Sequence, residues 1–373
     1  MNEKRLTQAF LSQPHEIYAR QIALAAAFLL PAAKLLEVPS ILATYAGGDL
    51  LFPAILHFLL QFGVLLALII AASKSEKSLF ERLNARLGKW SLLFYGLYAM
   101  YFLFAAILPL LDMEKFTYAA FFDTSPTVFA FVSFFVFSAF LCAKGLKTLG
   151  RAADLCLFLF LIPFLALIGM SLFTADFSRL LPLFGNKLGD TMYAFKRATA
   201  HFSDTVLLLP LLGNLRYKKG DGVKILSGYA VGALGTLLFL ATFYGIYASI
   251  APREHYAFSK IAEYFPALDV IGRFDLLFVY MLTIVLLFFT AMPLQYTTQL
   301  LCTHFRVNSG VLVSALINVA ALVFLLFANR HYNTIYALIS GKLSFVFWII
   351  ADMVPLFFLL LPKNTQKRGL NHA

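Results

Sequence analysis

The sequence predicts an all-α membrane protein with ten transmembrane helices, from its composition, the length of its apolar segments and the distribution of its charges. Of its 373 residues, 61% are hydrophobic and 13% are charged, and its mean hydropathy is +0.81. Soluble proteins average about 45–50% apolar and about 25% charged residues. The composition therefore leaves no room for a large soluble domain.

Apolar segments of about 20 residues, the length that spans the hydrocarbon core as a helix, recur along the whole chain. They place predicted helices 1 to 10 at about residues 17–46, 50–72, 90–111, 126–143, 152–173, 193–213, 223–250, 271–300, 308–328 and 336–361. Polar loops are expected at 174–192 and 251–270, and a loop before helix 4 is expected to carry Asp112, Glu114 and Asp123.

Lysine and arginine are concentrated in alternate loops, above all in residues 73–89 after helix 2. Because positive residues favour the cytoplasmic side, both termini are predicted to be cytoplasmic. The same bias accounts for the net charge of +11 without nucleic-acid binding. The polar N-terminus lacks the order of a cleaved signal peptide. The three cysteines form no CxxC pair and are expected to be reduced, structural thiols.

Ten helices divide into two halves of five. An odd number of helices per half makes the second half enter the membrane from the opposite side, which is the condition for an inverted repeat. We therefore predict a cytoplasmic tail at residues 1–16, a first five-helix repeat at 17–173, a second repeat at 174–361 and a cytoplasmic tail at 362–373.

Predicted helix 1 is interrupted in the stretch FLLPAAKLLEVPS, residues 28–40. Pro31 and Pro39 each remove a backbone donor, and a charge near mid-membrane costs at least about 2.5–3.5 kcal/mol unless it is paired or hydrated. Irregular backbone survives at this depth where it is buried in protein or lines a cavity. We interpret the break as half of a ligand site, with an outer half-helix that begins near residues 33–36. The predicted ligand-binding residues here are Ala32, Ala33, Lys34 and Leu35.

Lys34 leaves two interpretations open. In the first, it belongs to the ligand site and reaches a partner on another helix. In the second, the break is a proline kink in which Lys34 and Glu37 pair with each other, although an ion couple in lipid still carries a desolvation cost.

Predicted helix 6, YAFKRATAHFSDTVLLLPLLG, carries the corresponding interruption in the second half. Polar, proline-bearing interruptions at matching positions of two halves indicate the binding site of a transporter. Asp204 would act as an ammonium counter-ion, a proton carrier or a partner of Lys34. The alternative is a neutral carboxyl group bonded to Ser203 or His201. The predicted ligand-binding residues of this helix are His201, Phe202, Ser203 and Asp204, and the predicted charge-coupling residues are Lys34, Glu37 and Asp204.

Other polar residues within the spans are interpreted more simply. Tyr98 and Tyr101 share one face of helix 3 and are expected to line the pocket, with core packing as the alternative. His57 and Gln61 are interpreted as hydrogen-bonding between helices, and a partner across the bundle is expected for Asp352. No nucleophile, metal or cofactor motif occurs in a confirming context, so the chain is predicted to be neither an enzyme nor a binder of metal or cofactor.

Four short segments follow a familiar pattern: VPSILATYAGGDLLF, GLKTLGRAADLCLFLFLIPF, HFSDTVLLLPLL and IGRFDLLFVYML. The positions that carry it are Pro39, Ala46, Gly47, Asp49 and Leu50 or Leu51; Gly145, Arg151, Asp154 and Pro163; Phe202, Ser203, Asp204 and Pro210; and Arg273 and Asp275. Over about residues 15–362 the chain resembles the spore-germination permease family. This is the B-type membrane subunit of germinant receptors, within the amino acid–polyamine–organocation transporter superfamily. Asp154 stands where the family usually has Glu, and Ser203 and Asp204 stand where it has Gly-Glu.

The resemblance implies a five-plus-five inverted repeat that binds a small nutrient, usually an amino acid, between broken helices 1 and 6. It also implies A-type and C-type partner subunits in the inner membrane of a spore, where ligand binding signals germination. The chain departs from the family at Lys34, where small residues are usual. A lysine there could reach Asp204 and replace the charge of a coupling cation, or narrow the pocket. A stand-alone proton-coupled amino-acid transporter is the alternative function.

Overall fold

The computed structural model describes residues 17–74, 90–121, 128–264, 275–305, 310–341 and 343–360, and all regular elements in these ranges are helical. The helices are α1 (Ala19–Ala32), α2 (Val38–Ala46), α3 (Leu51–Ser73), α4 (Ser91–Phe121), α5 (Val128–Lys144), α6 (Leu146–Thr174), α7 (Leu188–Ala198), α8 (Asp204–Gly213), α9 (Asp221–Tyr247), α10 (Ala257–Glu263), α11 (Asp275–Phe305), α12 (Gly310–Arg330), α13 (Tyr332–Ser340) and α14 (344–360). The two predicted tails, most of the basic segment 73–89, Asp123, Asp269 and Arg273 lie outside the described residues.

In the part of the chain that the structure describes, five helices are long and apolar enough to cross a membrane: Leu51–Ser73, Leu93–Phe116, Asp221–Arg253, Leu277–Cys302 and Gly310–Arg330. Four shorter apolar helices accompany them: Ala19–Ala32, Phe131–Lys144, Phe158–Thr174 and Ser344–Phe357. Large apolar side chains such as Phe140, Ile162 and Phe327 are exposed on the outer faces of α5, α6 and α12. Exposure on this scale suits helices surrounded by lipid. The count of ten helices, the side of the termini and the five-plus-five repeat stay predictions.

The broken helices lie at the centre of the bundle. The first half-helix, α1, packs against α9, and its continuation α2 packs against α7. The second break lies between α7 and α8, and α8 packs against α3 and α14. Around them α11 packs against α4, α5, α6 and α12. The two interruptions therefore face each other inside the protein and not the lipid.

Glycines let α9 approach α1 closely. Gly228 and Gly232 are four residues apart on the face of α9 that meets α1, where residues 25–29 form a π turn. A Cβ atom at Gly232 would lie 2.8 Å from the carbonyl oxygen of Ala26 and 2.8 Å from Cγ of Pro31. Small residues at this spacing are a common device for close contact between membrane helices.

Asp49, in the Ala-Gly-x-Asp turn that follows α2, ties this turn to the segment before α7. Its carboxylate accepts the backbone N–H groups of Phe184 at 2.7 Å and Asn186 at 2.8 Å. The Asn186 side chain in turn donates to the carbonyl oxygen of Ala46 at 2.6 Å. These three hydrogen bonds hold the turn against the segment before α7.

Several predicted boundaries were wrong. Helix α4 continues through Pro109 to Phe121, so Asp112 and Glu114 are buried helix residues and do not lie in a loop. Membrane helices tolerate an internal proline because neighbouring groups satisfy the freed carbonyl. The polar segments contain helices as well: α7 begins at Leu188, five residues before predicted helix 6, and α10 lies within 251–270. Predicted helix 10 is divided at Gly341 into α13 and α14.

Candidate functional site

The first break separates α1 from α2 over residues 33–37. The carbonyl oxygens of Leu35 and Leu36 accept hydrogen bonds at 3.0 and 2.9 Å from the first backbone N–H groups of α10, those of Phe258 and Ala257. Irregular backbone inside a membrane protein needs such internal partners. The outer half-helix begins at Val38, slightly later than the predicted 33–36.

The second break separates α7 from α8. A 3₁₀ turn, Thr199–Phe202, follows α7, and Ser203 has non-helical torsion angles (φ −81°, ψ 57°) before α8 begins at Asp204. The backbone N–H of Thr205 has no partner within its own first turn, and it donates to Oε1 of Gln61 on α3 at 3.0 Å. A side chain from another helix therefore caps α8.

One ion pair joins the two breaks. Nζ of Lys34 lies 2.5 Å from Oδ1 of Asp204, and the two side chains are 1% and 3% exposed. Lys34 also donates to the carbonyl oxygen of Leu30 at 3.2 Å and lies 5.3 Å from the ring centroid of Phe202. The other carboxylate oxygen of Asp204 accepts the hydroxyl of Tyr229 on α9 at 3.2 Å. Both charges are thus buried and hydrogen-bonded, as buried charges must be.

A cavity of about 80 Å³ adjoins this ion pair. Its polar lining comes from the second break and from α4: His201, Ser203, Asp204, Tyr101 and Asp112. Its apolar lining includes Ala33, Leu36, Leu207, Leu286, Phe289 and Phe347. The space is sufficient for several water molecules. An apolar wall with a few convergent polar groups is typical of a small-molecule site.

Five of the predicted site residues line this cavity, namely Ala33, Tyr101, His201, Ser203 and Asp204. Lys34 reaches its edge through Asp204. Ala32 and Leu35 are packed in the core, and Phe202 stacks on His57 with ring centroids 4.5 Å apart. Tyr98, also expected to line the pocket, instead donates its hydroxyl to the carbonyl oxygen of Ile350 at 2.6 Å.

Glu37, the alternative partner of Lys34, lines a second and wider cavity of about 800 Å³. This wider cavity is also lined by Lys115, Tyr256, Arg330 and Tyr332. The hydroxyl of Tyr332 donates to Oδ1 of Asp112, which belongs to the smaller cavity, at 3.3 Å. The two cavities therefore adjoin across the contact between these two side chains.

Sequence reasoning missed two contributors, Asp112 and Tyr229. Asp112 was placed in the loop after predicted helix 3, which was expected to end at about residue 111. Tyr229 gave no signal, since a single tyrosine in an apolar span is unremarkable. Gln61 was expected to bond between helices, and it does so with Asp352, at 2.6 Å, and with Thr205. His57 likewise bonds to the carbonyl oxygen of Phe195 at 2.8 Å. Among the described residues, no group of three or more His, Cys, Asp or Glu side chains is placed to hold a metal ion.

These features define an integral membrane protein whose two central helices are interrupted and joined by a buried ion pair. The chain belongs to the spore germination protein family, whose model matches residues 36–333. No curated protein matches the chain.

Two solved structures with similar chain traces are of Mhp1, a nucleobase-cation-symport-1 family transporter. The first, a closed conformation with bromovinylhydantoin bound, has 15% identity and a TM-score of 0.43 over 90% of this chain and 76% of that one. The second, an inward-facing conformation, has 14% identity and a TM-score of 0.41 over 91% and 76%.

Proposed function

We propose that this protein is the transporter-like membrane subunit of a spore germinant receptor. It binds a small nutrient, an amino acid, in the cavity beside the two helix breaks and passes the signal to A-type and C-type partner subunits in the spore inner membrane. The observation that carries the proposal is the buried pair of Lys34 and Asp204 at the edge of a cavity whose wall is mostly apolar. Membership of the spore germination protein family supports it.

The charges of the site match those of an amino acid. The α-ammonium group of the ligand would be attracted to Asp204, and its α-carboxylate group to Lys34. Each of these two contacts would be a charge-assisted hydrogen bond. Without a ligand, Lys34 and Asp204 neutralise each other, so neither charge is unpaired inside the membrane. The leucine and phenylalanine side chains of the wall suit an aliphatic ligand side chain. If Lys34 and Asp204 each bound the ligand in place of each other, the contact between the two broken helices would change.

A thermal-shift screen of L-amino acids on the purified protein tests the proposal. A ligand at 100 times its Kd stabilises the folded state by about 2.7 kcal/mol, and the shift should disappear in Lys34→Ala and in Asp204→Asn. The matched control is Asp154→Asn, which makes the same chemical change in an exposed ion pair with Arg20, and it should retain the shift. An equal shift in all four proteins would place the ligand elsewhere.

A stand-alone proton-coupled amino-acid transporter is the second candidate, favoured by the fixed cation that Lys34 supplies between the breaks. Reconstituted vesicles with an imposed pH gradient separate the two functions. Uptake of the same amino acid by this chain alone, without co-purifying A-type and C-type subunits, would favour the transporter. Co-purification with those subunits and no uptake would favour the receptor.

A further inference from the structure

Asp352 is a buried carboxyl group that the proposed function leaves unused. It lies in the π turn Ile349–Met353 of α14 and is 0% exposed. π turns inside α-helices are frequent at functional sites, because they shift one residue out of the regular helical register. The position of Asp352 inside a membrane helix also calls for a functional explanation, because a carboxylate there is costly.

The hydrogen bonds of Gln61 determine which of its side-chain atoms faces Asp352. Its Oε1 accepts both the backbone N–H and the hydroxyl of Thr205, at 3.0 and 2.5 Å. A carbonyl oxygen must be the acceptor for a backbone N–H, so the amide orientation follows from this network. Nε2 therefore points to Asp352 and donates to its Oδ2 at 2.6 Å.

The other oxygen of Asp352, Oδ1, is buried and has no hydrogen-bond partner among the described residues. Within the same part of the chain, no lysine, arginine or histidine lies within ion-pair distance of Asp352. Lys34 is already engaged by Asp204. One amide N–H cannot compensate a buried negative charge, whereas a neutral carboxyl group is tolerated in such surroundings.

We propose that Asp352 is a proton-binding site, in which Oδ1 carries the proton and Oδ2 accepts the Gln61 amide. The reaction is the reversible combination of one proton with the carboxylate, and no other group changes. Gln61 links this site to the first turn of α8, next to Asp204. Loss of the proton would place a negative charge beside that turn, so proton release is coupled to a rearrangement of the second helix break. The presence of the proton on Asp352 can be tested without a nutrient, so this proposal does not rest on the proposed function.

Other titratable groups near Asp352 influence the pH at which it would release a proton, so a pH titration has to take them into account. They are Tyr98 and Tyr101 on α4, Asp204 on α8 and Tyr229 on α9. Helix α3, which packs against α14, also carries His57. Asp204 is the other acidic group on this list, and it is already paired with Lys34. The tyrosines are neutral near neutral pH.

Infrared difference spectroscopy of the full chain in lipid nanodiscs tests the proton directly. A protonated carboxyl group has a carbonyl-stretch band separate from those of carboxylates and amides, and the band shifts in deuterated water. The wild type minus Asp352→Asn difference at about pH 6 should contain this band, which should fade as the pH is raised. The matched control is Asp49→Asn, which removes a buried carboxylate held by two N–H groups and should give no such band.

Absence of the band in the Asp352→Asn difference would overturn the proposal, because the carboxyl group would then be ionised. Should Asp352→Asn fail to fold, Asp352→Glu and Gln61→Leu provide the same test. Each keeps a carboxyl group but changes its hydrogen bond, so each should move the band without abolishing it. A band that stays unchanged in both variants would assign the proton to another residue.

Discussion

Lys34 and Asp204 are 170 positions apart in the chain, and their side chains form a buried ion pair between two interrupted helices. Each residue lies beside a helix break, and the pair is completed by the carbonyl oxygen of Leu30 and the hydroxyl of Tyr229. The breaks are therefore connected to each other as well as to the surrounding bundle.

We expect the two charges of this pair to depend on each other strongly. Lys34→Met or Asp204→Leu alone should lower the free energy of unfolding by about 3–5 kcal/mol, since each leaves one buried charge without a partner. The double variant Lys34→Met/Asp204→Leu should recover most of the loss, because apolar replacements of similar size remove both desolvation costs. Thermal or denaturant unfolding of the four proteins in one detergent measures this cycle. Additive losses would mean that the two side chains do not interact.

The close contact between α9 and α1 should depend on the missing side chain at Gly232. Gly232→Ala should destabilise the protein by about 1–3 kcal/mol, because its Cβ would overlap backbone oxygens of the π turn in α1. Gly235→Ala on the same helix is the matched control, since its Cβ would meet Phe164 at an ordinary 3.5 Å. That control should be neutral or stabilised by up to about 1 kcal/mol through its higher helix propensity. Equal unfolding temperatures for both variants would contradict the contact.

The contact between Tyr332 and Asp112 should limit access from the wider cavity to the smaller one. In a variant without the three native cysteines, Ala33→Cys introduces a thiol on the wall of the smaller cavity. Its labelling by a polar thiol reagent should be several times faster after Tyr332→Phe, because the hydrogen bond to Asp112 is lost. Tyr45→Phe, on the wall of the same wider cavity, is the control and should leave the rate unchanged. A rate unaffected by Tyr332→Phe would show that access follows another path.

Local properties were predictable in this chain. The stretch with Pro31, Lys34 and Pro39 indicated one break, and the polar run before Pro210 indicated the other. A proline changes the hydrogen bonding and torsion angles of its own backbone and of its immediate neighbours, so its effect can be predicted from a short segment. The predicted end of helix 3 at about residue 111 was wrong, because α4 continues through Pro109 to Phe121 among the surrounding helices.

The sequence by itself determined that the chain is a helical membrane protein with two interrupted helices, because hydropathy, proline and charge are properties of short segments. Only the tertiary structure decided that Lys34 pairs with Asp204, while Glu37 lines the wider cavity, and that Gln61 holds both Thr205 and Asp352. Pairing between helices depends on how their faces meet across the bundle. A local pattern shows that a buried charge needs a partner, and the packing of distant segments selects that partner.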